Sequence, residues 1–69
     1  MNGIRPVVTY SFRGRSIVLW TASLDGADYW GILNEFTGKS LGCVSFEHAS
    51  FIFDRCQAGV TSGPVSLIN

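Results

Sequence analysis

The chain has 69 residues, of which 46% are hydrophobic and only 14% are charged. The charged fraction lies well below the roughly 25% usual for soluble domains, so intrinsic disorder is excluded, because disorder needs low hydrophobicity and high charge. Five basic and five acidic residues give a net charge of zero, which excludes strong nonspecific attraction to nucleic acid or to an anionic membrane. The length predicts a single domain over residues 1–69. High apolar content in so small a domain favours oligomerisation or a partner.

The termini and cysteines bear on the cellular location. No apolar core follows Met1–Pro6, so we expect no signal peptide. The longest apolar run is far shorter than the ~20 residues that cross a bilayer. The sequence therefore predicts a cytoplasmic protein without membrane contact, in which Cys43 and Cys56 are reduced thiols.

Four short runs rich in β-forming residues predict strands. They are Val7–Phe12, Ser16–Leu24, Tyr29–Phe36 and Leu41–Phe46. The predicted turns between them are Arg13-Gly14, Asp25-Gly26 and Thr37–Ser40. Of these turns, Asp25-Gly26 has the strongest signal, because the pair suits the primed turns of β-hairpins.

The second predicted strand is apolar at consecutive positions. Ile17 and Leu19 lie on one of its faces, whereas Val18 and Trp20 lie on the other. Continuous apolarity indicates that both faces are at least partly covered. The third strand has no side chain at Gly31, and we expect a tryptophan, Trp20 or Trp30, to pack over that gap.

A single helix is predicted over Glu47–Ala58. Its apolar positions recur at three- and four-residue steps, at Phe46, Ala49, Ile52, Phe53 and Cys56. Ser45 is placed to cap the first turn, and Gly59 is placed to end the helix. Because Ser50–Phe53 also has the composition of a strand, a fifth strand is the alternative.

Together these elements predict an α+β fold, with a three- or four-stranded antiparallel sheet and one C-terminal helix packed on one face. The alternative is a small all-β barrel in which Phe51–Phe53 form a strand. Residues 60–69 are predicted to be a turn-rich tail or, through Val65–Ile68, an edge strand. One short helix covers only one face of a sheet, so the tail, a partner or a second copy must close the other face.

No motif with a catalytic or metal-binding mechanism is present. Gly38-Lys39-Ser40 resembles the end of a phosphate-binding loop, but the glycine needed five positions before Gly38 is replaced by Leu33. Cys43, His48 and Cys56 stand singly, whereas zinc sites use closely spaced ligand pairs. The acidic residues form no pair spaced for general acid–base work. We therefore predict that the chain is not an enzyme and binds no metal or other cofactor.

Aromatic residues on neighbouring strands are the strongest functional signal, because Trp, Tyr and Arg dominate protein–protein contacts. They predict a non-enzymatic interaction or regulatory module that forms a homodimer or binds a protein partner through the uncovered sheet face. The candidate interaction residues are Trp20, Tyr29, Trp30, Phe51, Arg13 and Arg15. The alternative is a single-stranded nucleic-acid-binding module in which the same aromatics form a base-stacking surface with Arg13 and Arg15.

The order of segments resembles that of small uncharacterised bacterial proteins with a β-β-β-α plan. The resemblance rests on Thr9–Arg15, on Asp25-Gly26 before Tyr29-Trp30, and on Ser45–Ala49 at the start of the helix. The last segment is also similar to the strand-to-helix junction of antitoxin-like modules from bacterial toxin–antitoxin pairs. That resemblance implies a dimerising or partner-binding role.

Overall fold

A four-stranded antiparallel sheet with one helix packed against it forms the fold. The computed structural model describes residues 3–12 and 15–69. The strands are β1 (Gly3–Phe12), β2 (Arg15–Leu24), β3 (Ala27–Asn34) and β4 (Lys39–Cys43), and they lie side by side in chain order. The helix α1 (Phe46–Gln57) and a 3-10 helix (Gly63–Leu67) follow. The α+β prediction is confirmed, and the all-β alternative is wrong, because Phe51–Phe53 lie within α1.

Two turns that join the strands lie in the described part of the chain. Asp25 and Gly26 both have positive φ, 52° and 80°, as the predicted primed hairpin turn requires. The turn after β3 comprises residues 35–38 rather than 37–40. It begins earlier because the buried Asn34 side chain accepts hydrogen bonds from the backbone N–H groups of Phe36 and Thr37. The predicted Arg13-Gly14 turn lies outside the described residues.

Strand β1 is longer than the sequence indicated. It begins at Gly3 rather than at Val7, although Pro6 has no backbone N–H to donate. Proline is tolerated there because β1 lies at the edge of the sheet, and a register shift between Pro6 and Val8 adds a bulge. The first residues of β1 therefore extend the sheet beyond the predicted start.

The hydrophobic core lies between one face of the sheet and α1. The sheet contributes Ile17, Leu19 and Ile32, and the helix contributes Ala49, Ile52, Phe53 and Cys56. All of these side chains are buried, and the alternation of β2 places Val18 and Trp20 on the opposite face, as predicted. We call the face that α1 covers the helix face and the opposite one the open face.

The C-terminal segment packs on the helix face and forms no strand. Val65 and Ile68 are fully buried and belong to the same core as α1. Their spacing of three residues suits a 3-10 helix, which turns both side chains to one side, whereas a strand would separate them. The Thr37 hydroxyl donates to the main-chain oxygen of Ile68 over 2.9 Å and fixes this segment. The predicted edge strand is therefore wrong, and the tail leaves the second sheet face uncovered.

Helix α1 begins with the predicted cap. The backbone N–H of His48 donates to Ser45 Oγ over 3.1 Å, and Ser45 itself is extended. Gly59, with a φ of 83°, follows the last turn. We expect Ser45→Ala to lower the free energy of unfolding by about 1 kcal/mol, because it removes the acceptor for the first helical turn. Urea unfolding followed by circular dichroism measures the change.

The matched control for this cap is Ser50→Ala, which makes the same substitution inside α1. Alanine has the higher helix propensity there, so the free energy of unfolding should stay the same or rise slightly. Equal losses from the two substitutions would contradict a capping role for Ser45.

Candidate interaction surface

The open face presents an apolar surface whose side chains come from three of the four strands. The strand register places Ile4 and Thr9 of β1, Val18, Trp20 and Ala22 of β2, and Tyr29 and Leu33 of β3 on this side. Tyr29 is 50% exposed and Ile4 is 73% exposed. Among the described residues, no helix or further strand covers these side chains, since α1 and the 3-10 helix both pack on the helix face.

Trp20 lies at the centre of the open face, on the backbone of β3. Its cross-strand neighbour is Gly31, and a Cβ built at Gly31 would stand 2.1 Å from Trp20 Cζ2 and 2.4 Å from Cε2. The indole therefore rests on the glycine at a distance that no other residue type allows. The prediction that a tryptophan covers Gly31 is confirmed, and the tryptophan is Trp20.

The surface around Trp20 is recessed on two sides. One depression of about 520 Å³ is lined by Gly3, Ile4, Trp20, Ala22, Leu24 and Tyr29 among others. A second depression of about 270 Å³ also contacts Ile4 and Trp20 and extends past Val18 and Leu33 to Thr9 and Glu35. The indole thus borders an apolar recess and a second one with a polar end, of the kind that receive side chains of a binding partner.

Polar groups limit the open face at the end next to the turn after β3. The Ser16 hydroxyl donates to the Glu35 carboxylate over 2.5 Å, and Ser11 Oγ lies 3.5 Å from Ser16 Oγ. An apolar centre with a hydrogen-bonded polar edge is typical of protein interfaces. The arrangement suits an uncharged, apolar contact surface.

Trp30 does not share this surface, which corrects the expectation that it lies on the uncovered face. It pairs with Thr21 and Cys43 on the helix face and packs against the core. Its ring meets that of Phe46 edge-on, with centroids 5.1 Å apart. The physical reason is the two-residue period of a strand, which turns Tyr29 and Trp30 to opposite sides.

Of the two arginines predicted for the same surface, Arg15 does not lie beside the aromatics. Arg15 lies on the helix face, where its guanidinium donates to Asn69 Oδ1 over 2.9 Å. The strand register places Arg5 and Lys39 on that face as well, and Arg55 belongs to α1. Arg13 lies outside the described residues. No basic side chain of residues 3–12 and 15–69 therefore lies on the open face.

Phe51 lies on the outer side of α1, away from the open face. Its ring is 57% exposed, and the Arg55 guanidinium stands 5.4 Å from the ring centroid. This cation–π contact gives the exposed ring a partner within its own helix. Phe51 and Trp20 thus cannot belong to one continuous contact surface.

The open face also includes three residues that were not predicted from the sequence, namely Ile4, Leu33 and Gly42. Ile4 was missed because the first strand was predicted to begin at Val7, and the bulge that lets β1 continue past Pro6 has no signal in the sequence. Leu33 and Gly42 follow from the register alone, since Leu33 is opposite Val18 and Gly42 is opposite Gly31. The alternation within β3 and β4 was the signal available for both.

The two thiols do not have the environment of reactive cysteines. Burial raises the pKa of Cys43 above its ordinary value. Burial also raises the pKa of Cys56, although the positive charge of Arg15 partly opposes the increase. A raised pKa reduces the thiolate fraction at neutral pH, which is the opposite of what a nucleophilic cysteine needs. His48 is exposed on the first turn of α1.

Within residues 3–12 and 15–69, His, Cys, Asp and Glu side chains nowhere gather in a group of three or more that could hold a metal ion. Neither helix found in those residues has the length and apolar character needed to cross a membrane.

Comparisons with known proteins add no relative. No protein-family model matches the chain. No curated protein is significantly similar in sequence, and no solved structure is significantly similar in fold.

Proposed function

We propose that this chain is a non-enzymatic interaction module that self-associates through the open face of its sheet. The observation that supports the proposal is the partly buried indole of Trp20, which is seated on Gly31 beside two recesses, with no helix or further strand of the described chain above it. Exposed apolar surface of this kind, with a polar edge, marks an interaction site more often than a free surface. A large aromatic ring at the centre of such a surface is the usual anchor of an interface.

The nucleic-acid alternative has less support. Single-strand binders combine stacking rings with a basic groove that follows the phosphates. Here Trp20 and Tyr29 share a face with the carboxylate of Glu35, whereas Arg5, Arg15 and Lys39 are on the opposite side of the sheet. Such a distribution of charge favours an uncharged protein surface as the partner.

The native mass of the protein, measured by light scattering over a dilution series, tests the proposal. We expect the unsubstituted chain to be a dimer that dissociates on dilution. Trp20→Ala should raise the dissociation constant by about tenfold or more, because it removes the central anchor. The control is Phe51→Ala, which removes an exposed aromatic ring from α1 and should leave the dissociation constant unchanged.

Circular dichroism shows whether each variant is folded. If Trp20→Ala fails to fold, Tyr29→Ala replaces it, because Tyr29 is half exposed and contributes little to the core. A folded Trp20→Ala variant with the dissociation constant of the original chain would exclude the open face as the contact surface. A loss of association in Phe51→Ala alone would move the surface to α1.

A further inference from the structure

The open face has a relief that is complementary to itself. In one cross-strand row of this face the Trp20 indole covers its neighbour Gly31, and in another the large Tyr29 is opposite the small Ala22. The first of these rows continues to Pro6 on β1 and to Gly42 on β4. A Cβ at Gly42 would meet nothing within 4 Å, so the surface is low at that edge of the sheet.

A twofold axis between β2 and β3, parallel to the strands, places Tyr29 and Pro6 of one copy against small residues of another. The axis places β2 over the partner's β3 and β1 over the partner's β4. Each residue then faces the same cross-strand row in the second copy. Tyr29 then meets Ala22 of the second copy, and Pro6 meets Gly42. The two Trp20 rings meet at the axis, where anchors of symmetric interfaces are usually found.

We propose that the occupant of the open face is a second copy of this chain, packed face to face about this axis, an inference that rests on the proposed function. Two aligned sheets pack in this way in β-sandwiches, at about −30° to each other. The dimer is thus a four-layer arrangement, with an α1 helix on each outer side and the two open faces at its centre.

Charge and area fit this occupant. Glu35 is the one acidic or basic side chain that the described residues place on the open face, so the apolar centre of the dimer holds no charge, and repulsion between the two Glu35 carboxylates is confined to one end of the axis. Four strands about 4.8 Å apart, with roughly 8 residues each at about 3.3 Å, give a face of about 500 Å². This flat area is smaller than the about 800 Å² that a standard interface buries on each partner, although the relief of the side chains adds to it. A reversible dimer is therefore expected.

The first test fills the low edge of the face. Gly42→Leu leaves the monomer unstrained, because the side chain enters open space, but it collides with Pro6 of the second copy. We expect the dissociation constant to rise about tenfold or more. Gln57→Leu is the control, since it adds a leucine at an exposed position of α1, on the other side of the sheet.

The second test uses mixed dimers. Ala22→Leu should weaken self-association, because the added leucine meets Tyr29 of the partner, and Tyr29→Ala should weaken it by leaving two voids. When the two variants are mixed, a dimer can form from one copy of each. The leucine introduced at position 22 of one copy then faces the alanine introduced at position 29 of the other, and the unchanged Tyr29 of the first copy faces the unchanged Ala22 of the second. Native mass spectrometry should then show mixed dimers well above the random proportion.

The outcomes separate this arrangement from self-association itself. A monomer at every concentration would overturn both the proposed function and the twofold arrangement. A dimer that Gly42→Leu does not weaken, or a mixture that pairs at random, would overturn the arrangement and leave self-association standing. If Gly42→Leu proves unfolded by circular dichroism, the mixed-dimer result decides.

Discussion

Ile52→Ala is expected to lower the free energy of unfolding by about 2–5 kcal/mol, because it removes three carbon atoms from a fully packed site. Ile52 has no exposed surface and lies between α1 and the sheet, in the same core as Ile17 and Ile32. A single core in a domain of this length rarely supplies more than about 3–5 kcal/mol. The variant should therefore be largely unfolded at 25 °C, which urea unfolding followed by circular dichroism would show.

The neighbouring residue gives a matched control for this substitution. Phe51→Ala removes a larger side chain from the next position of α1, but that side chain is 57% exposed. Its loss should cost about 1 kcal/mol or less, chiefly through the contact with Arg55. Both variants should be compared at one protein concentration, since association stabilises the folded chain. A larger loss for Phe51→Ala than for Ile52→Ala would show that α1 packs on its other side.

Gly31→Ala is expected to displace the Trp20 indole from the open face. The new Cβ would stand 2.1 Å from Trp20 Cζ2 and 2.9 Å from the main-chain oxygen of Leu41, so the ring must leave and β4 must shift. Overpacking of this kind costs about 1–3 kcal/mol of stability. The Trp20 emission maximum should move to longer wavelength, and it can be measured alone in a Trp30→Phe background.

The control for Gly31→Ala is Gly42→Ala, in the adjacent position of β4. Both spectra should be recorded in dilute solution, where the proposed dimer would be dissociated. A Cβ at Gly42 meets nothing within 4 Å. The Trp20 emission and the free energy of unfolding of Gly42→Ala should therefore stay close to those of the original chain. Unchanged Trp20 emission in Gly31→Ala would mean that the indole does not rest on Gly31.

The elements with local signals were predictable from sequence. The Asp25-Gly26 turn needs residues that accept positive φ, and the start of α1 needs a side-chain acceptor such as Ser45, so each is determined within a few residues. The two faces of β2 follow from the two-residue period of a strand. The same period applied to β3 separates Tyr29 from Trp30, which the sequence analysis grouped together.

The features that depend on distant contacts were not predictable. The C-terminal segment forms a 3-10 helix because Val65 and Ile68 fill the core beside α1, and Val65–Ile68 has the composition of a strand when considered alone. Strand β1 continues through Pro6 because the sheet order leaves that strand at an edge. The open face itself depends on the register of three strand pairs, which determines that Trp20 lies on Gly31.

The two tryptophans lie on opposite faces of the sheet, and this gives the most direct test of the central claim. Each indole N–H has its own proton resonance, and the Trp30→Phe variant assigns the signal of Trp20. When the protein is diluted from dimer to monomer, the Trp20 signal should move, whereas the Trp30 signal, on the helix face beside Phe46, should stay in place. A Trp20 signal that stays constant while the native mass halves would contradict self-association through the open face.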